Sequence, residues 1–125
     1  MRDRTSTESE IRSQFVEDHR PWGRFKQYVG NAQCTVKIIT VEPNQTLSLQ
    51  SHAHRDELWI ILDKGLRVQL NDDIIDPEPD EEIVILRGTR HRLSSRGKQG
   101  RVLEVSFGTF DENDIQRFED VYGRT

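Results

Sequence analysis

The sequence predicts an all-β domain, a sandwich or barrel with a short terminal helix. Three observations predict it. Six or more short runs are β-branched or alternate apolar with polar residues. Turn signals separate them every 8–12 residues or so, roughly the spacing of sandwiches and barrels. Helical periodicity is almost absent between the two ends. At 125 residues and 33% hydrophobic content, the chain can bury one core but not two. Mean hydropathy is −0.78, polar enough to raise disorder. The two Trp, five Phe and two Tyr argue against it for most of the chain.

The elements run as follows. Met1 to about Glu10 (MRDRTSTESE) is small, polar and charged, and reads as a frayed arm. Ile11, Phe15 and Val16 stand at near-helical spacing and suggest a short helix. The arm is taken as residues 1–19 and the single domain as 20–125. Cys34 to Val41 (CTVKIITV) is an alternating, β-branched strand. In Thr46 to His54 (TLSLQSHAH), Leu47 and Leu49 face one way and Gln50, His52 and His54 the other. Leu58 to Leu62 and Leu66 to Leu70 are strands joined by the turn Asp63-Lys64-Gly65. Asn71 to Glu82 is acidic with two Pro and reads as mostly loop. Ile83–Leu86 and His91–Ser94 flank the turn Arg87-Gly88-Thr89. Arg101 to Phe107 is a further strand. Asp111 to Glu119 begins with acids and places Ile115 and Phe118 three apart, so it reads as a terminal helix capped by Asp111 or Asn113.

Charge and composition exclude several classes. Net charge is −4, from 18 basic and 22 acidic residues. No long basic run appears, so nucleic acid is not an expected partner. The single Cys34 excludes a disulfide framework and a Cys-based zinc site, and reads as a small buried residue. The N-terminus lacks the apolar segment of a secretory signal. No stretch nears the ~20 apolar residues of a membrane helix. The cytoplasm is the expected compartment, with no membrane partner.

One constellation carries chemistry. Gln50, His52 and His54, two apart on a strand, share a face. A two-residue break at Arg55-Asp56 would bring Glu57 back to that side at the start of an antiparallel strand. His91 follows its turn closely. An amide oxygen, imidazole nitrogens and a carboxylate suit zinc, iron, nickel, cobalt or manganese and leave positions open for substrate. A lone His on a strand is usually a solvated or packed residue. Four candidates, three of them in one strand register, weigh against that reading here. Asp72, Asp73, Asp76, Glu78, Asp80, Glu81 and Glu82 lack the spacing and Gly of a calcium loop and read as solvated.

The stretch Gln50-Ser51-His52-Ala53-His54-Arg55-Asp56-Glu57-Leu58-Trp59 resembles the first cupin motif of type II phosphomannose isomerases, Gln-x-His-His-His-Arg-x-Glu-His-Trp. The second motif corresponds to Leu86–Ser95. Arg20-Pro21-Trp22-Gly23 resembles the family's start, and Asp114 to Arg124 (DIQRFEDVYGR) its end. The resemblance covers about residues 20–124. The two end motifs are more specific than the cupin motifs, which mark only the superfamily. The departures are Ala53 and Leu58 in place of His, Gly65 one place late, Leu86 for Pro and Ser95 for Asn.

The resemblance implies a cupin (double-stranded β-helix, jelly-roll) barrel, here as a stand-alone domain. In the family this domain commonly follows a GDP-mannose pyrophosphorylase domain. The Gly-rich segment of that transferase is missing here, so its activity is not carried over. The implied metal ligands are Gln50, His52, Glu57 and His91, holding one divalent ion per chain, zinc before iron, nickel, cobalt or manganese. His54 then stands behind the ligands or faces substrate. The implied reaction interconverts mannose 6-phosphate and fructose 6-phosphate through a cis-enediol. The alternatives are a non-catalytic metal-binding cupin for a sugar, sugar phosphate or nucleotide sugar, and oxygen chemistry on iron.

Val102, Glu104 and Ser106 share a face of their strand. Burial of Glu104 would suit it to proton transfer, with His54 the competing base. Arg55 or Arg117 would take the phosphate through a bidentate fork, although Arg117 and Glu119 could instead form a structural ion pair. Trp22 and Trp59 read as packing residues. Unpaired sheet edges need covering, and cupins often pair through edge strands, so a homodimer is expected.

Overall fold

The computed structural model describes residues 7–125. The frayed arm expected from Met1 lies outside the described residues as far as Ser6. The described residues open with a short helix, α1 (Glu8–Arg12). Thr7 and Glu10 form a capping box: the Thr7 hydroxyl accepts from the Glu10 amide, and the Glu10 carboxylate accepts from the Thr7 amide. Ile11 is buried.

Eleven strands follow: β1 (Val16–Arg20), β2 (Gly23–Gln27), β3 (Thr35–Val41), β4 (Leu49–Ser51), β5 (Arg55–Ile61), β6 (Leu66–Leu70), β7 (Asp73–Ile75), β8 (Glu82–Ile85), β9 (His91–Ser95), β10 (Gly100–Gly108) and β11 (Gln116–Glu119). Strands β1 and β2 form a separate ribbon. The rest form two antiparallel sheets, ordered β3-β10-β5-β8 and β11-β4-β9-β6-β7. This is the expected all-β, jelly-roll barrel, and its short helix lies at the N-terminal end.

Alternation along the strands explains the two cores. On β5, Trp59 and Ile61 point between the sheets, where they meet Leu66, Val68, Leu93 and Val102. Leu58 and Ile60 point outward and pack with Ile11, Val84 and Val105 beneath the N-terminal segment. Strand β5 is therefore buried on both faces along its whole length, which accounts for the unbroken apolar run LWII. Cys34 is half-buried against the second cluster. No helix among the described residues is long and apolar enough to cross a membrane.

Three sequence expectations need correction. Residues Asp111–Glu119 are not a helix. The Asp111 side chain caps a local turn at Asn113, and Gln116–Glu119 then adds a strand to the edge of β4; tertiary pairing overrides the weak helical spacing. The acidic stretch 71–82 is mostly loop, as expected, with one short strand inside it. Asn71, at φ 52°, turns the chain so that Asp73–Ile75 pairs back on β6. The break before Glu57 is not at Arg55-Asp56. Both residues are buried within β5, and the break falls at Ala53-His54. Trp22 does not pack: it is 74% exposed at the ribbon's turn.

Candidate metal centre

The break at Ala53-His54 builds the site. Asp114 fastens it from outside, its carboxylate accepting from the amides of Ala53 and His54, each at 2.9 Å. These amides hold the Asp114 carboxyl below its usual range against the effect of burial. The Asp114 main-chain oxygen meets His52 Nδ1 at 2.6 Å. A carbonyl oxygen requires a donor, so Nδ1 carries the proton and Nε2 presents a lone pair inward. His91, the first residue of β9, is oriented in the same way by Thr89 O, 2.9 Å from its Nδ1. Two glycines make the loops possible. Gly88, at φ +83°, donates its amide to His52 O at 2.8 Å. Gly108, at φ +99°, lies so close that a Cβ there would stand 2.7 Å from His54 O.

Glu57 lies between the two imidazoles. Its Oε2 is 3.5 Å from His52 Nε2, and its Oε1 is 3.7 Å from His91 Nε2. All three residues are buried, and their ligand atoms lie within 4.8 Å of one another, as required to hold a metal ion. Trp59 Nε1 donates to Glu57 Oε1 at 3.1 Å, and its ring stands edge-on to His91 at 5.7 Å. Trp59 thus packs the core, as expected, and also steadies the carboxylate.

Gln50 lies directly opposite His91 in the β4–β9 register, so it belongs to the same face. Its amide oxygen accepts from Ser48 at 2.8 Å. Burial lowers the pKa of both His91 and His52, keeping them neutral and able to ligate. Burial alone would raise Glu57; the charge either imidazole carries when protonated, and the hydrogen bond and permanent charge of Arg55, hold its carboxyl below the usual range. One atom of the group is unsatisfied: His91 Nε2 is buried with no hydrogen-bond partner. A neutral lone pair aimed at a carboxylate, with a second such imidazole beside it, is a donor set that fits a divalent cation.

Arg55 does not point to solvent. It is 5% exposed, and all three guanidinium nitrogens are engaged. Nε donates to Glu57 Oε2 at 2.9 Å, Nη1 to Asp111 O at 3.2 Å, and Nη2 lies 3.1 Å from His52 Nε2. Arg117, on β11, lies opposite Gln50 in register. Its Nη1 donates to Thr125 O, while its Nε is buried without a partner. Arg117 and Glu119 do not form a latch, since Glu119 pairs with Arg92.

His54 leaves the His52 face at the break. It is exposed and lines a different hollow, with Thr109 and Asp111. A hollow of about 630 Å³ runs past the site, walled by His52, Ala53, Gly88, Arg90 and Phe118; of the three clustered residues only His52 reaches it.

Glu104 points inward from β10, opposite Trp59 on β5 and Lys37 on β3. It is 3% exposed. Burial, reinforced by the charge of Glu57, pushes its pKa up to about 7, against the pull of Lys37, Arg55 and the Ser106 hydroxyl. Sequence reasoning missed Lys37. The signal was present, because Lys37 alternates with Ile39 and Val41 on a β-branched strand and so shares their inward face.

The family described as mannose-6-phosphate isomerase, C-terminal, matches residues 7–120. The chain is 40% identical over 109 residues to the xanthan biosynthesis protein XanB of Xanthomonas campestris, covering 86% of this chain and 23% of that protein. It is 37% identical over 124 residues to the alginate biosynthesis protein AlgA of Pseudomonas putida, covering 98% of this chain and 24% of AlgA. The chain thus spans about a quarter of the length of these relatives. Among solved structures, a cupin 2 conserved barrel domain protein from Rhodopseudomonas palustris superposes with a TM-score of 0.60 at 22% identity, over 70% of this chain and 59% of that one.

Proposed function

The chain belongs to the mannose-6-phosphate isomerase C-terminal family, and on that premise we propose that it is a metal-dependent sugar-phosphate isomerase interconverting mannose 6-phosphate and fructose 6-phosphate. The observation that carries the reading is the pairing of a cation-ready cluster with a buried carboxylate poised near neutrality on the same inner face. His52, Glu57, His91 and Gln50 would hold the ion, with zinc favoured by the mixed set of two imidazole nitrogens and two oxygens. When bound, such an ion supplies Lewis acidity for the sugar's carbonyl and hydroxyl oxygens.

Glu104 is the general base. A pKa of about 7 lets it accept and return a proton near neutral pH. It takes the C2 proton of the open-chain aldose and delivers it to C1. The carbonyl oxygen gains a proton as the C2 hydroxyl loses one, so aldose and ketose balance through the cis-enediol. His54, exposed and lining a separate hollow, is not the base in this scheme. Arg117 takes the phosphate, since its Nε is a buried donor without a partner. Arg55 holds Glu57 and His52 in place.

Metal content and turnover, measured on one preparation, test the reading. Elemental analysis would run beside a coupled mannose 6-phosphate assay with zinc, cobalt, nickel, manganese and iron supplied in turn. Metal with turnover supports the isomerase. Metal without turnover supports a second reading, a metal-binding cupin that recognises a sugar phosphate in polysaccharide synthesis. One observation favours that reading: of the clustered ligands, only His52 reaches the large hollow. Failure to bind any metal would overturn both.

A further inference from the structure

Lys37 is the one cation that faces Glu104 from β3. The two residues are directly paired in the β3–β10 register, so their side chains leave the sheet on one face. Lys37 Nζ lies 3.6 Å from Glu104 Oε1 and 3.6 Å from Glu112 Oε1. It also stands 4.8 Å from the centroid of the Phe110 ring. Ser106 Oγ donates to the same Glu104 oxygen, Oε1, at 3.2 Å. One hydrogen bond, from Ser106, and one ammonium ion pair, from Lys37, meet on the same oxygen and fix the rotation of the carboxylate. They leave Oε2 as the oxygen able to receive a proton.

We propose that Lys37 is a positioning residue for Glu104, fixing its Oε1 so that Oε2 meets the reacting carbons of the bound sugar phosphate. This rests on the isomerase reading above. The other charges acting on Glu104 come from β5, where Glu57 opposes its ionisation and Arg55 favours it. Arg55 is committed to Glu57, His52 and Asp111, which leaves Lys37 as the cation that answers to Glu104. Lys37 is half-exposed, so the pair contributes little to stability. Glu112, exposed at the rim, shares the same ammonium at the same distance.

The test uses the metal-loaded chain with Lys37→Met, Lys37→Arg and Ser106→Ala. Lys37→Met is expected to lower kcat by about 100-fold, the scale on which a small misplacement of a reacting group acts. KM, metal content and melting temperature are expected to stay close to wild type. The acidic limb of the kcat/KM pH profile moves to higher pH, because Glu104 loses a cation. Lys37→Arg recovers most of the rate, and Ser106→Ala shows a smaller loss in the same direction. Unchanged kcat and an unmoved acidic limb in Lys37→Met overturn the proposal, as does an equal loss in Lys37→Arg.

A wild-type chain without turnover would defeat the isomerase reading rather than the pairing. Carboxyl ¹³C NMR on the metal-free chain then decides the pairing alone. A Glu104 titration that moves upward in Lys37→Met and not in Lys37→Arg supports it, and an unmoved titration overturns it.

Discussion

His91 aims a buried Nε2 at Glu57 Oε1, 3.7 Å away, and that nitrogen has no hydrogen-bond partner. Its other nitrogen is committed to Thr89 O. A buried polar atom left unsatisfied costs about 1–3 kcal/mol, and a ligated cation removes that cost. His91→Leu is therefore expected to abolish metal binding without destabilising the metal-free fold. Melting with and without zinc checks it. Wild type gains about 2.7 kcal/mol at a metal concentration a hundredfold above Kd, while the variant gains nothing. Full metal stoichiometry in the variant would place the metal elsewhere.

Asp114 serves the same centre from outside. It fixes the tautomer of His52 through its carbonyl and the break at Ala53-His54 through its carboxylate. Asp114→Ala keeps the carbonyl and removes the clamp. Metal affinity is expected to drop about 10–100-fold, as when the support of a ligating residue is lost. Competition titration against a zinc chelator measures it. Affinity within twofold or so of wild type would show that the break holds without the clamp, since even a weak support shifts binding by about tenfold.

The barrel was legible because it rests on local pattern: alternation at Gly100–Gly108 and the run Leu58–Ile61 is written by residue type. The grouping of His52, Glu57 and His91 as ligands came from the motif resemblance, since the strand pattern alone put the break before Glu57 too late in the chain. What was not legible depended on distant partners. Gln116–Glu119 becomes a strand only because β4 offers an unpaired edge. Arg55 looks like a phosphate ligand in sequence, but its position between Glu57 and His52 depends on a break whose place is fixed by Asp114, about sixty residues later in the chain. The ribbon of β1 and β2 was missed because its residues are nearly all exposed and carry no apolar period.

Gly108 tests the loop on the far side of that break. Its φ of +99° lies where only glycine is at ease, and a Cβ would stand 2.7 Å from His54 O. Gly108→Ala must strain the backbone and displace the His54 carbonyl, which accepts from Thr109. A loss of about 1–3 kcal/mol is expected, read as a lower urea midpoint. A variant of wild-type stability would show that the loop relaxes freely.

Glu104 makes stability depend on pH in a direction opposite to most carboxylates. Burial chiefly raises its folded pKa from the ordinary 4.5 to about 7. A raised carboxyl binds more protons folded than unfolded, so its contribution is fully present below pH 4.5 and is lost as pH rises to about 7. The span corresponds to about 3 kcal/mol at most. Glu104→Gln cannot titrate. Against wild type it is expected to be near neutral at low pH and more stable above neutrality, by up to that amount. Glu57 interacts with the Glu104 charge, so the difference reads Glu104 together with any change it imposes on Glu57. Urea unfolding of the metal-free proteins at acidic and alkaline pH measures it. A stability difference that does not change with pH would mean that Glu104 does not titrate in this window, and would remove it as the base.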